Sequence, residues 1–533
     1  MSALAGTGTL LRFALRRDRV RLTTWIAAIA FSVVSTAASF PGIYQSAADR
    51  QVRAQLMDTP AAIALGGPGY GADNYTFGAM LANEMLGYTA LLMALMSAFM
   101  VVRHTRAEEA SGRAELVRAT VVGRYAATMA TLILAVATNI VLGALIAAGL
   151  GGLGIESITW ERSWLFGASA AAVGVTFAGI AAVVAQLTEH SRGASGITAA
   201  LVGLAWALRA AGDMGNGMLS WLSPIGWAHQ TMAYVDERWW PLAIAVAMTA
   251  VLVVLALALS TRRDVGASLV PPRPGPAQAS TALARPLGLA LRLQRGALIG
   301  WGIAMLAFGL MYGSIVGEAQ SLYEENEFVQ EFLVTAGGVD LFDSFLSMVV
   351  GMLAMVTSGY AIQATLRVRG EETAGRGEPV LATAVSRVRW VGSHLAVALA
   401  GSAIVLLLAA LGLGISAAFA VDDTGLLPRL LGAALAYVPV LWLTIGLAIA
   451  LFGLVPRAVA LAWIVLVYAA TVLMLGGLLD FPQSVRNLSP FEHVRQLGAD
   501  VTATPFVVLL AIAVALLAAG LGAFRRRDLQ SPA

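Results

Sequence analysis

The chain has no cysteine, no lysine, only five histidines and little charge: Asp, Glu, Lys and Arg make up 12% of its 533 residues. Each scarcity excludes something. Without cysteine there are no disulfides and no thiolate metal sites. The histidines are scattered and make neither an HExxH pattern nor another close pair, so a histidine-built metal centre has no starting motif. All 34 basic residues are arginine, so the G-x-x-x-x-G-K-[ST] loop, whose lysine reaches the β/γ-phosphates, is absent. The chain does not hydrolyse ATP that way by itself. A soluble protein carries roughly 25% charged residues. Here 58% of the residues are hydrophobic instead, in apolar runs of bilayer-crossing length. The start, MSALAGTGTLLRFALRRDRVRL, reads as retained rather than as a cleavable signal: its arginines follow the apolar stretch, and no A-x-A site precedes the first run.

The runs predict twelve spans, near 22–41, 80–102, 125–150, 164–187, 195–212, 241–260, 298–316, 345–366, 391–418, 430–455, 458–478 and 503–523. Twelve spans put both termini on one side. That side holds 26 arginines against 10 acids, and the other 8 against 21, which together account for the 34 and 31 of the chain. Arginine excess marks the cytoplasmic side, so both termini are expected there, in a cell membrane.

The charged part of the sequence occurs twice. Residues 106–124 read RAEEASGRAELVRATVVGR and residues 369–387 read RGEETAGRGEPVLATAVSR, with eleven of nineteen positions identical. Other pairs repeat as well: Trp25 and Trp301 each stand six residues after an arginine, Leu222-Ser223-Pro224 returns as Leu488-Ser489-Pro490, and Arg262-Arg263-Asp264 returns as Arg526-Arg527-Asp528. The expected fold is therefore an all-α polytopic membrane protein of two homologous six-helix halves, 1–263 and 291–533. A Pro-rich cytoplasmic tether, 264–290, joins them. Six spans per half insert both halves the same way up, implying a pseudo-twofold along the membrane normal.

In the repeated loop, Glu108, Gly112 and Glu115 share one face if the segment is helical, and Glu109 and Arg113 are spaced as an i,i+4 pair. The second copy offers Glu371, Gly375 and Glu378, with Glu372 and Arg376 as the pair. Alternatively the glycine ends one helix and starts another, and Pro379 supports a break in the second copy. Membrane-proximal charges are ordinarily just solvated; retention of this loop in both halves points to a docking surface for a partner, with Arg106 and Arg369 opening it.

These residues resemble the permeases of ABC-2 class ATP-binding-cassette exporters, and more narrowly the fused twelve-span actinobacterial polyketide-antibiotic (tetronasin-type) exporters. The resemblance rests on GTGTLLRFALRRDRVRL, the R-x-E-E-x-x-G-R-x-E loop of both halves, ALGGPGYGADNYTFGAM at 64–80 and LSPIGWAHQTMAY at 222–234. It covers essentially the whole chain and implies several things. The loops at 103–124 and 366–387 are coupling helices, each entering a groove on one of two copies of a cytoplasmic ATPase subunit. An interfacial amphipathic helix precedes the first span, near Leu10–Leu22. Short re-entrant helices fall at 213–238 and 480–500. The chain itself has no catalytic residue or cofactor; ATP and Mg belong to the partner subunits, and no nucleic acid is involved.

Candidate substrate contacts are Asn83 and Glu84 near the outer end of the second span, Trp206, Arg209 and Asp213 near the outer end of the fifth, and Trp227 beyond it. Ionisable groups near spans are functional candidates because a charge in hydrocarbon is costly. The plainer readings are a water-exposed Glu84, whose second-half counterpart is Ser347, and an Arg209–Asp213 pair that closes its helix. Gln363 reads as a cap or a bridge between helices. Trp221, Trp227, Tyr234, Trp239 and Trp240 read first as interface anchors, and second as a gate for an amphiphilic drug. The acidic runs Tyr323–Glu327 and Asp422-Asp423 read as solvated outer loops.

The leading function is the membrane subunit of an ATP-driven exporter of a hydrophobic or amphiphilic compound. Its rival is a proton- or sodium-coupled carrier, which needs acids buried at mid-span. A lipid-modifying membrane enzyme ranks third, because the short loops offer no acidic constellation.

Overall fold

The computed structural model describes residues 2–264, 266–270, 275, 277–317, 341–475, 481–494 and 503–528, and every regular element among them is helical. The acidic run at 323–327 lies outside the described residues. Twelve helices are long and apolar enough to cross a membrane, as the hydropathy of the sequence predicts. The chain forms two compact units, Met1–Gly275 and Pro276–Ala533.

In the first unit the spans are α1 (Thr7–Ile43), α4 (Phe77–His104), α7 (Ala126–Gly151), α8 (Trp160–Leu187), α9 (Ser191–Met214) and α11 (Pro241–Ser260). Shorter helices α2 (Ala47–Met57) and α3 (Pro60–Leu65) lie between the first two spans. Two more, α5 (Arg106–Ala110) and α6 (Arg113–Arg118), build the repeated loop, and α10 (Pro224–His229) precedes the last span. α4 and α8 are the most covered spans of this unit. α7 and α8 cross where glycines face each other: a Cβ on Gly143 would sit 2.6 Å from the Gly167 carbonyl oxygen. Small residues at such crossings let backbones approach where lipid offers no hydrophobic drive.

The interfacial helix expected at Leu10–Leu22 is not a separate element. α1 runs unbroken for 37 residues, about 55 Å at 1.5 Å per residue against a hydrocarbon core of about 30 Å. Nothing between Leu10 and Leu22 breaks a helix, so that stretch is continuous with the span.

The second unit has spans α12 (Pro286–Ser314), α13 (Leu341–Thr365), α16 (Arg387–Val421), the pair α17 (Leu426–Ala436) and α18 (Val438–Leu454), α19 (Ala462–Leu475) and α21 (Ala503–Arg526). Its repeated loop contains α14 (Arg367–Thr373) and α15 (Gly377–Leu381), and α20 (Gln483–Arg486) lies before the last span. The span expected over 430–455 breaks at Tyr437 because Pro439 has no N–H to give and crowds the preceding turn. The re-entrant segment expected in the first unit is a 3-10 turn, Leu219–Leu222, followed by α10. In the second unit α20 and a 3-10 turn, Pro490–His493, occupy the described part of 480–500.

Candidate functional site

Both repeated loops are broken at their glycine. Gly112 has φ +73° and Gly375 φ +68°, a left-handed conformation that costs a side-chain-bearing residue roughly 1–2 kcal/mol. The break, and not the single continuous helix, is the form adopted. It also removes the i,i+4 pairs expected from spacing, because the residues on either side of it no longer share a helix face.

The acids before the glycine turn inward instead. In the first unit Glu109 is gripped by Arg263, just beyond the end of α11, through two hydrogen bonds of 2.6 and 2.9 Å to its two oxygens. Glu109 also accepts from Arg106 at 2.7 Å. Arg106 is fully buried, and its Nε donates to the Ala185 carbonyl at the end of α8. Glu108 pairs with Arg17 of α1 at 2.5 Å. Nearby, Asp18 takes Arg103 at 3.0 Å and His104 at 2.7 Å. In the second unit Glu372 is gripped by Arg527, just beyond the end of α21, through bonds of 2.9 and 2.7 Å. Glu371 pairs with Arg367 at 2.9 Å and Arg376 at 2.7 Å. The hydrogen bond to Glu371 raises the pKa of Arg376, against a smaller opposing effect of burial. Arg369 is half-buried, whereas Arg106 is not exposed at all.

What the loops show to solvent is the segment after the glycine. Arg113, Glu115, Leu116, Ala119, Thr120 and Val121 are exposed in the first copy, and Arg376, Glu378, Pro379, Ala382, Thr383 and Ala384 in the second. Leu116 is 73% exposed, a large apolar side chain at the tip of a charged loop. Beneath α6 lies a cavity of about 110 Å³ lined by Leu10, Phe13, Arg17, Arg113, Val117 and Arg124, among others. α6 therefore stands over a cavity, while the ion pairs lie in α5, before the glycine.

At the opposite end of the first unit the candidate contacts also find internal partners. Arg209 is fully buried; it donates to the carbonyls of Ile63 (3.0 Å), Ala64 (2.8 Å) and Gly66 (3.3 Å). It thereby closes the C-terminus of α3, whose last carbonyls attract a cation. Its guanidinium lies 4.3 Å over the Trp206 ring, and Asp213 is 3.4 Å away and accepts from Ser220 at 2.6 Å. The structure thus gathers Trp206, Arg209 and Asp213 into one structural knot. His229 joins it 4.0 Å from Asp213. Burial first, and the Arg209 charge second, push His229 well below the usual histidine pKa. Asn83 is buried and donates to the Tyr70 carbonyl at 2.9 Å. Glu84 is not the solvated carboxylate of the plainer reading: it holds Arg53 of α2 through bonds of 3.1 and 2.9 Å. Burial is the largest single effect and disfavours the charge on Arg53, but the hydrogen bond to Glu84 and the charges of Glu84, Tyr44 and Tyr75 together outweigh it and raise the pKa. Trp227 is buried and donates to the Trp221 carbonyl at 2.6 Å, and Tyr234 is buried against Ser163. Only Trp239 and Trp240, each more than half exposed, keep the anchoring reading without qualification. Gln363 accepts from Trp301 at 2.8 Å, bridging α13 to α12.

Sequence reasoning noticed Arg263 and Arg527 only as matching ends of the two halves. The signal was the spacing: Glu109 to Glu372 is 263 residues and Arg263 to Arg527 is 264. It missed Arg53 and His229 outright.

The fold is that of a multi-pass membrane protein. The family model described as multidrug efflux system permease Rv1217c, C-terminal domain, matches residues 8–259 and 283–525. The multidrug efflux system permease protein Rv1217c of Mycobacterium tuberculosis is 41% identical over 534 residues, covering 99% of this chain and 96% of that protein. The chain belongs to this family of multidrug efflux permeases.

Proposed function

We propose that the chain is the membrane subunit of an ATP-binding-cassette exporter, moving a hydrophobic or amphiphilic compound out of the cell with ATP hydrolysed by two copies of a separate ATPase. The observation that carries this reading is the pair of loops built the same way twice. In each, an arginine following the last span clamps a glutamate at the loop's base, and a glycine break presents a short exposed helix. A device repeated in both units suits a partner present in two copies. The docking surface is the exposed tips, from Gly112 to Val121 and from Gly375 to Ala384. Arg106, Glu108, Glu109, Glu371 and Glu372 form the base that shapes them. Magnesium and ATP belong to the partner, and the loop face is cytoplasmic, in keeping with its arginine excess. The sequence resemblance to tetronasin-type exporters supports an antibiotic or drug as the exported compound.

Proton or sodium coupling is disfavoured by the placement of the acids. Glu84, Asp213 and Asp343 sit toward span ends, and Asp18 pairs with Arg103 and His104 at the loop end of its unit. The test uses the absence of native cysteine. A single cysteine in place of Leu116 or Ala382 is expected to cross-link to a copurifying ATP-binding-cassette subunit, whereas one in place of Trp240 at the opposite end is not. Failure of both tip positions to cross-link, together with transport that survives ATP depletion, would overturn the reading in favour of the carrier.

A further inference from the structure

We propose that Arg263 and Arg527 are positioning residues that carry movement of each repeated loop into the last span of its own half. The inference rests on the reading of the loops as ATPase seats and adds the route by which the seat moves the membrane domain.

Three observations support it. First, the geometry is the same in both units. Each guanidinium lies just beyond the end of the last span and makes two parallel hydrogen bonds to the second glutamate of the loop. Such fork-to-fork pairing fixes orientation as well as distance, which a lysine's point charge does not. The side chains are mostly shielded from water, 6% and 9% exposed for Arg263 and Glu109, and 16% and 3% for Arg527 and Glu372.

Second, each arginine is braced by the fourth span of its unit, through different chemistry. Arg263 Nε donates to Gln186 Oε1 at 2.7 Å, at the end of α8. The Arg527 guanidinium lies 4.8 Å over Phe452 of α18 and 4.9 Å over Phe524 of α21. Its backbone carbonyl accepts from Arg387, at the start of α16, at 2.7 Å. Two different braces around one retained ion pair mean that the pair is the common element.

Third, the helix being pulled is the one with the least of its apolar stretch covered within its unit. α11 and α21 are the least covered spans of their units, with 11% and 17% of their apolar stretches buried. Each is held along one side, α21 against α18 where Gly453 meets Gly520, and the buried bidentate pair adds a fixed point at the helix end. The cavity under α6 leaves the first loop room to tilt about its base.

The experiment has two arms. In the first, the chain alone in nanodiscs is followed by amide hydrogen exchange. Arg263→Gln is expected to speed exchange in 106–112 and at the loop end of α11 while leaving 369–375 unchanged; Arg527→Gln is expected to do the converse. Unchanged exchange in both variants overturns the proposal, and this arm holds whether or not the partner is an ATPase. In the second, the complex with its ATPase is reconstituted. Glu372→Arg is expected to lower transport per ATP hydrolysed by about tenfold or more, and adding Arg527→Glu to recover much of the loss. A single reversal that transports like the parent overturns the proposal, as does a double reversal that stays inactive with normal exchange. If Glu372→Arg fails to fold, Arg263→Lys takes its place: lost coupling at unchanged thermal stability supports the fork geometry, and full coupling refutes it. Failure of the unmodified chain to copurify with an ATPase sinks the exporter reading, and leaves the exchange arm to decide the clamp.

Discussion

The two ends of the molecule's spans differ in what their ion pairs repeat. At the loop end, both units place an arginine from beyond the last span on the second glutamate of the loop. At the opposite end, each unit also has an ion pair on its second span, but the partners are unrelated. Glu84 of α4 takes Arg53 from α2, a helix between the first two spans, whereas Asp343 of α13 takes Arg429 from the start of α17. The Arg209 knot has no such counterpart either, since the second unit carries no arginine between Arg457 and Arg486. The chain thus keeps one internal contact in both halves at the loop end and holds the opposite end together by different contacts in each half.

The comparison is broken most forcefully at Arg209. Arg209→Leu strips the last carbonyls of α3 and leaves Asp213 buried beside only Ser220 and His229. Removing one partner of a buried pair costs about 3–5 kcal/mol. Thermal unfolding of the detergent-solubilised chain is expected to show that loss, while Arg429→Leu, at a side chain 41% exposed, costs much less. Equal losses would deny the one-sidedness of the first unit.

Acid sharpens the same contrast. The unfolded histidine titrates near pH 6.5 and folded His229 well below it, so below that pH the unfolded chain binds a proton that the folded chain does not. Stability is greatest above pH ~6.5 and falls as pH drops from there toward the depressed folded value. His229→Gln is expected to flatten that part of the pH profile.

Smaller still is the coupling between Arg53 and Glu84. A double-mutant cycle to Gln at both positions is expected to give about 1–2 kcal/mol, for a bidentate pair that is only partly buried. An additive pair would reduce α2 to a loosely attached cap. Last come Gly112→Ala and Gly375→Ala. Each forces a side chain into the left-handed region for roughly 1 kcal/mol, and hydrogen exchange in the loops should respond alike. A large difference between the two would show that the loops are not the same device.

Much of this architecture was legible because spans and breaks are written in local chemistry. Twelve apolar runs gave twelve helices, and the glycine at the centre of each loop admitted two conformations, of which the left-handed break is the one adopted. The missed features are those set at long range. α1 continues through Leu10–Leu22 because no residue stops it, and Pro439 splits a span that hydropathy alone reads as continuous. Spacing paired Glu109 with Arg113; the fold pairs it with Arg263, 154 residues away, and no periodicity encodes such a partner. The same limit hid the commitment of Arg209 to α3, where a charge near a span read as a substrate contact and is spent on closing a helix.

The account stands or falls on the loops as seats for an energy source outside this chain. The most direct measurement is uphill drug transport in proteoliposomes, with the purified chain alone and with its ATPase partner, with and without ATP and across an imposed proton gradient. Accumulation is predicted only when partner and ATP are both present, with no response to the gradient. Accumulation by the chain alone, driven by the gradient, would contradict the account.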